Sequence, residues 1–130
     1  MDILKKLIVL LIPLILFANI IGLKELLHAL FPLLVHKTPV KVYTIPKYYY
    51  LFDDNATFLL VRECNQSDLA FGDINCSGPV FGLSYQFYRT YPNVIGAFYY
   101  RKGRPQLIIK LKSYTKHFGP LSPKLERFAQ

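Results

Sequence analysis

The sequence predicts a mainly β protein, built as a hydrophobic N-terminal helix followed by a small antiparallel β-sandwich or barrel. Three observations carry this. A leucine-rich, nearly uncharged stretch opens the chain. From residue 38 onward the composition changes to short runs of Val, Tyr, Ile and Phe. Five or six such runs follow one another, separated by turn residues and without helical periodicity between them, a pattern of antiparallel β architectures.

The first element is apolar. After Lys5 and Lys6, residues Leu7 to Leu23 carry no charge and only Asn19 is polar. This length is at the short limit for spanning a bilayer and slightly long for the apolar region of a signal peptide. Residues 1–22 are therefore expected to be a signal anchor or a signal peptide that attaches the chain to, or delivers it across, a membrane. Cleavage after Ala18 or Gly22 would place Leu16 or Ile20 three positions before the cut, and the missing small-x-small signature favours an uncleaved anchor. Lys5 and Lys6 on one side and Lys24, Lys37 and Lys41 on the other leave orientation undecided by the positive-inside rule.

Residues 23–37 continue as an amphipathic helix. Leu23, Leu26, Leu27, Leu30, Phe31 and Leu34 recur at helical spacing on one side, with Lys24, Glu25 and His28 elsewhere and Pro32 placed to bend it. Such a face can lie in a membrane interface, pair with a partner helix or dock on the chain's own β domain.

Residues 38–112 are expected to form the β-rich domain. Val40 to Ile45 is the first strand, Tyr48 to Phe52 the second and Thr57 to Arg62 the third, with the turn Asp53-Asp54-Asn55 between the last two. Asn65 to Pro79 is polar and turn-rich and reads as a loop. Val80 to Arg89 resumes β character. Val94 to Tyr100 and Gln106 to Lys112 flank Arg101-Lys-Gly-Arg-Pro105 as a hairpin with Gly103 at its turn. Leu107, Ile109 and Leu111 alternate with Ile108, Lys110 and Lys112, which predicts one buried and one mostly wet face. Residues 113–130, with Gly119-Pro120 and Ser122-Pro123, are expected to be a basic, irregular tail.

The net charge of +8 is concentrated late in the chain. Between residues 37 and 100 basic and acidic groups balance, whereas from Arg101 onward Arg101, Lys102, Arg104, Lys110, Lys112, Lys116, Lys124 and Arg127 are opposed only by Glu126. Such a segment is a solvated face, or it attracts anionic lipid, acidic glycans, acidic proteins or nucleic acid. Arg101, Lys102 and Arg104, beside the Phe98-Tyr99-Tyr100 cluster, are the candidate partner surface. The tyrosines there and in Tyr48-Tyr49-Tyr50 either fill a core that has no Trp or supply contact area to a partner.

Three N-glycosylation sequons, Asn55-Ala-Thr57, Asn65-Gln-Ser67 and Asn75-Cys-Ser77, cluster in one short stretch. The only two cysteines, Cys64 and Cys76, lie in the same stretch. In an oxidising lumen they would form a disulfide, and in the cytosol they would be buried thiols. Asn65 follows Cys64 and Asn75 precedes Cys76, so glycan transfer there competes with disulfide closure and Asn55 is the site expected to be modified most reliably.

Templates for catalysis are not met. There is no Gly-rich phosphate loop and no H-E-x-x-H, and Gly82-Leu-Ser84-Tyr-Gln86 lacks the second glycine of a nucleophile elbow. His28, His36 and His117 are too scattered to suggest a metal site, and Asp53-Asp54 reads as a turn. No catalytic, cofactor-binding or metal-ligating residue is expected.

The segment FLLVRECNQSDLAFGDINCSGPVFGLSYQFYR, with the aromatic hairpin and LIIKLK after it, resembles the small lumenal accessory glycoproteins of coronaviruses. These comprise the immunoglobulin-like accessory proteins and the secreted glycoprotein encoded near the genome end of some alphacoronaviruses. The shared features are a hydrophobic leader, a strand running into Cys64, and Asn75-Cys76-Ser77 with Pro79 and Phe81 behind it. The resemblance implies an immunoglobulin-like sandwich that binds host proteins in the endoplasmic reticulum or secretory pathway, or after secretion, without catalysis or cofactor. The chain departs from the immunoglobulin-like members in having two cysteines where they usually have at least two disulfides. The alternative is a membrane-tethered protein whose basic domain faces the cytosol and contacts anionic lipid, nucleic acid or a viral assembly; a lumenal location leaves nucleic acid without a role.

Overall fold

In the computed structural model, which describes residues 20–130, the apolar stripe of the first helix meets the chain's own sheet. Helix α1 (Ile20–Val35) continues through Pro32 and buries Leu26, Leu27, Leu30, Phe31 and Leu34. Of the three fates open to this amphipathic segment, docking on its own domain is the one observed. Phe31 is its deepest anchor, with ring centroids 5.5 Å from Phe81, 5.8 Å from Phe52, 6.1 Å from Phe71 and 6.2 Å from Phe58. Most of the run Leu7 to Leu23, and with it the leader expected at residues 1–22, lies outside the described residues. Among the described residues no helix is long and apolar enough to cross a membrane.

The sheet-rich expectation holds, but the architecture differs from an antiparallel or immunoglobulin-like sandwich. Strands β1 (Val40–Tyr43), β2 (Phe58–Leu60), β3 (Leu69–Phe71), β4 (Val80–Gly82), β5 (Val94–Arg101) and β6 (Arg104–Ile109) form one six-stranded sheet in the order β2-β1-β3-β4-β5-β6. β1 runs parallel to β2 and β3, β3 to β4, and β4 to β5; the pairing of β5 with β6 is antiparallel. Parallel neighbours require crossover connections, and two of these, Pro46–Phe52 and Tyr85–Thr90, were hidden in segments with β-like composition.

The run Tyr48 to Phe52, expected as a strand, belongs to a 3-10 helix, Pro46–Phe52. Pro46 starts it, and adjacent Leu51 and Phe52 are both buried while adjacent Tyr49 and Tyr50 are both exposed, a pattern that strand alternation cannot produce. The segment Val80 to Arg89 is a strand only as far as Gly82. Ser84 then accepts the Phe87 amide at 3.1 Å and starts helix α2 (Tyr85–Thr90).

The expected loop Asn65 to Pro79 contains the central strand β3. Its residues Leu69, Ala70 and Phe71 are fully buried. Asp68 fixes its entry: the Lys41 amide donates to Asp68 Oδ2 (2.9 Å), the Asp68 amide donates to the Lys41 carbonyl (2.8 Å), and Lys37 Nζ lies 3.0 Å from Asp68 Oδ1.

The hairpin is where the sequence places it. Arg101 pairs with Arg104, and Lys102 (φ 52°) and Gly103 (φ 75°) make the two-residue turn. Two successive positive φ values are what a type I′ turn needs, and they suit the right-handed strand twist. Beyond it, the expected irregular tail is ordered. Helix α3 (Leu111–Phe118) and a 3-10 helix, Pro123–Phe128, bury Tyr114 and Leu125. The Gln130 amide donates to the Ile109 carbonyl (2.8 Å), and the Leu111 amide to the Gln130 carbonyl (3.1 Å). The returning segment covers Leu107 and Ile109, and Phe87 and Tyr88 of α2 cover Ile108 on the other face, so all three are buried and the wet face predicted from their alternation with lysines is absent.

Two apolar clusters form on opposite faces of the sheet. One gathers α1, Tyr114 and Leu125 against Val40, Val42, Phe71, Phe81, Ile95 and Ile109. The other gathers Cys76 and the α2 residues Phe87 and Tyr88 against Ala70, Val80, Val94, Ala97 and Ile108. A short three-layer α/β arrangement results, with the strand ends free to carry a site.

Candidate functional site

In an open sheet of parallel strands, the loops leaving the carboxyl ends diverge and create a crevice. Here β4 ends at Gly82 and passes through Leu83 to Ser84, while its parallel neighbour β5 runs on to Tyr99, Tyr100 and Arg101. Leu83, Ser84, Tyr85, Tyr99, Tyr100 and Arg101 line a cleft of about 510 Å³ between them, a size typical of small-ligand sites.

Local chemistry positions each wall. Asp73, after β3, accepts the Leu83 amide through Oδ1 at 2.7 Å and pins the chain leaving β4. The Ser84 cap turns the chain into α2, so that Tyr85 meets Tyr99 of β5 at a ring-centroid distance of 5.7 Å and stacks on Tyr88 at 5.9 Å. Tyr85 and Tyr100 remain 47% and 48% exposed. Burial, and secondarily the neighbouring Tyr85 and Tyr99 phenols, push the Tyr88 pKa upward and keep it neutral. Lys110 Nζ lies 4.8 Å from the centre of the Tyr88 ring, and burial lowers the lysine's pKa. On the far side of Ser84 a smaller cleft of about 320 Å³ is lined by Asp73, Ser84, Gln86, Phe87, Thr90 and Tyr91.

Arg101, Lys102 and Arg104, the partner surface expected from the sequence, are exposed together at the hairpin tip. Of the three, only Arg101 lines the cleft. Leu83, Ser84 and Tyr85 were missed because their segment reads as strand. The available signal was a serine placed as an N-cap before a short aromatic helix.

The other residues singled out lie elsewhere. Cys64 and Cys76 are joined, with Cα atoms 5.9 Å apart, so Asn65 and Asn75 flank the cross-link. Asn55, Asn65 and Asn75 are all exposed. The Ser67 hydroxyl of the second sequon donates to the Cys64 carbonyl at 2.7 Å. Of the tyrosine clusters, Tyr48 packs on Phe71 with centroids 5.3 Å apart, whereas Tyr49 and Tyr50 face solvent. Core filling and surface display are thus divided within one run.

His28 does meet polar partners. Its Nε2 lies 3.1 Å from Asp54 Oδ2 and 3.0 Å from Thr57 Oγ1. Asp54 is held below the usual carboxylate range, chiefly by the Ala56 amide, with smaller contributions from Thr57 and His28. Both partners converge on the same ring nitrogen, so the cluster clasps α1 to the turn before β2; it is not a relay in which one group orients a base for another. Among the described residues no group of three or more His, Cys, Asp or Glu side chains is placed to hold a metal ion.

Comparison of the chain with family models, with curated proteins and with solved structures returned no match.

Proposed function

We propose that this chain is a non-enzymatic binding domain working on the oxidising side of a membrane, and that it engages its partner through the cleft at the carboxyl ends of β4 and β5. The observation that carries this is the convergence of Tyr85, Tyr99, Tyr100 and Arg101 on one cleft. Tyrosine and arginine supply rigid contact area and charged hydrogen bonding at binding surfaces. The linked Cys64 and Cys76 and the exposed sequon asparagines favour an oxidising compartment. On this reading the resemblance to viral accessory glycoproteins supplies a secretory location and a host-protein partner, and the partner is recognised by a mixed α/β surface rather than an immunoglobulin-like one.

The full chain, expressed in cells and alkylated before and after reduction, tests the compartment. Thiols that react only after reduction, together with a glycosidase-sensitive gel shift lost in Asn55→Gln, are the expected result. Two thiols alkylated without reduction and an unshifted band would favour the cytosol-facing alternative. Cross-linking to neighbouring proteins in the same cells tests the cleft: the products of the wild-type chain should be lost in a Tyr85→Ala, Arg101→Gln double variant, and their persistence would remove the cleft from the function.

A further inference from the structure

We infer that the group of the protein partner that enters the cleft is an acid beside a flat aromatic ring, the acid on Arg101 and the ring on the tyrosines, so that small aromatic acids mimic it. The inference rests on reading the cleft as the binding site, and it adds the class of ligand.

Charge selects an anion. Among the described residues Arg101 is the one charged side chain lining the cleft, and no carboxylate lines it. Among the described residues Arg101 makes no ion pair; the pairs present join Lys24, His28 and Lys37 to Asp53, Asp54 and Asp68. The sequence reinforces this, since no acidic residue occurs between Asp73 and Glu126, and α2, β5 and β6 therefore contain none. Asp73 itself lies beyond Ser84 in the neighbouring cleft, with Oδ1 engaged by the Leu83 amide. Lys102 and Arg104, at the same hairpin tip, add to the positive potential. An arginine fork without a protein carboxylate matches a carboxylate or phosphate in bidentate geometry.

The walls select the body. Tyr85, Tyr99, Tyr100 and Leu83 present aromatic and apolar surface. Tyr85 and Tyr99 are too close to admit a ring between them, at 5.7 Å, so a ligand ring packs against the exposed part of Tyr85, which is half exposed. Ser84 Oγ accepts the Phe87 amide, and its own hydroxyl proton is left to donate to the ligand.

Calorimetric titration of the full chain in detergent tests this with four probes: 2-naphthoate, neutral 2-naphthamide, 2-naphthyl phosphate and acetate. Naphthoate, naphthyl phosphate or both should bind at least about tenfold more tightly than naphthamide, the scale of one charge-assisted hydrogen-bonded pair, and acetate should not bind measurably. Preference for one of the two anions identifies the acid group. Arg101→Gln, an exposed substitution, should abolish the preference over naphthamide, and Tyr85→Ala should weaken every aromatic probe. Equal affinities for naphthoate and naphthamide, a preference that survives Arg101→Gln, or no binding by any probe would overturn the ligand class. If that happens while cross-linked products still depend on Tyr85 and Arg101, the ligand class alone is wrong; if those products are also indifferent to the double variant, the binding reading of the cleft fails with it.

Discussion

The phenol of Tyr114 donates to the backbone carbonyl of Leu34 at 2.6 Å, joining α3 to the last turn of α1. Carbonyls in a helix's final turn have no partner within the helix, so a side chain distant in sequence satisfies one that is buried under the sheet. His36 Nε2 lies 3.1 Å from the same hydroxyl. Tyr114→Phe keeps the ring and deletes the donor. The expected loss is about 1–3 kcal/mol, the cost of stranding a buried acceptor, measured by urea denaturation of the two proteins.

The same phenol makes stability depend on alkaline pH. Burial pushes its pKa up to about 12, whereas in the unfolded chain it titrates near 10, roughly as a model peptide does. Between these values the unfolded chain gives up a proton that the folded chain keeps. The contribution is therefore complete below about pH 10 and is lost as pH rises through about 12. Urea midpoints should fall over this interval in the wild type and fall less in Tyr114→Phe. Tyr88, shifted in the same direction by burial, accounts for part of what remains. An equal alkaline fall in both proteins would contradict the assignment.

Phe31→Ala should be the most damaging single truncation in α1. The ring touches Phe52, Phe58, Phe71 and Phe81 together, and removing it leaves a cavity under the centre of the sheet. A loss of about 3–5 kcal/mol is expected. Amide exchange should show α1 protection falling before that of β5 and β6.

Replacing Cys64 and Cys76 by serine should cost about 3 kcal/mol in the chain-entropy account of so short a loop. Reduction of the wild type should move its denaturation midpoint to that of the double variant. A midpoint unchanged by reductant would mean the cross-link contributes nothing.

Gly96 of β5 pairs with Phe81 of β4 on one side and Ile109 of β6 on the other. A Cβ there would lie 2.7 Å from the Ile108 carbonyl and 3.3 Å from the Phe81 ring. The first neighbour is backbone in a paired strand and cannot step aside. Gly96→Ala should therefore destabilise by about 1–3 kcal/mol, the range for forced overpacking, despite adding one methyl group. A thermal melt of the purified variant is sufficient to measure it.

Features specified by neighbouring residues were legible in the sequence. The leucine spacing marked the buried face of α1, Gly103 within Arg101 to Pro105 marked the hairpin turn, and the cysteine pair marked the cross-link on the lumenal of its two readings. Features specified by distant partners were not. Residues Leu69 to Phe71 form a strand only because β1 and β4 flank them; in isolation three apolar residues among turn formers read as loop. Parallel pairing leaves no local mark, so strands joined by short 3-10 and α segments looked like an antiparallel series. The tail from Ser113 read as irregular because its stability comes from Tyr114 and Leu125 entering a core built by earlier residues. The cleft was half legible for the same reason: Tyr99 to Arg101 stood out beside the hairpin, whereas Ser84 and Tyr85 acquire their places through a cap and a facing strand.

The loop closed by Cys64 and Cys76 also bears on strand alignment. In a half-buried strand the alternation of apolar and polar residues fixes which residue faces which neighbour. β3 has no such code, since all three of its residues are buried and a one-residue slide would exchange one apolar side chain for another. Its alignment must come from outside the strand, from Asp68 bonded to both backbone groups of Lys41 at one end and from the cysteine bridge spanning the segment. Without that bridge, the central strand of the sheet would be held in place by one aspartate and four pairs of ladder neighbours, and alternative alignments would compete with the native one.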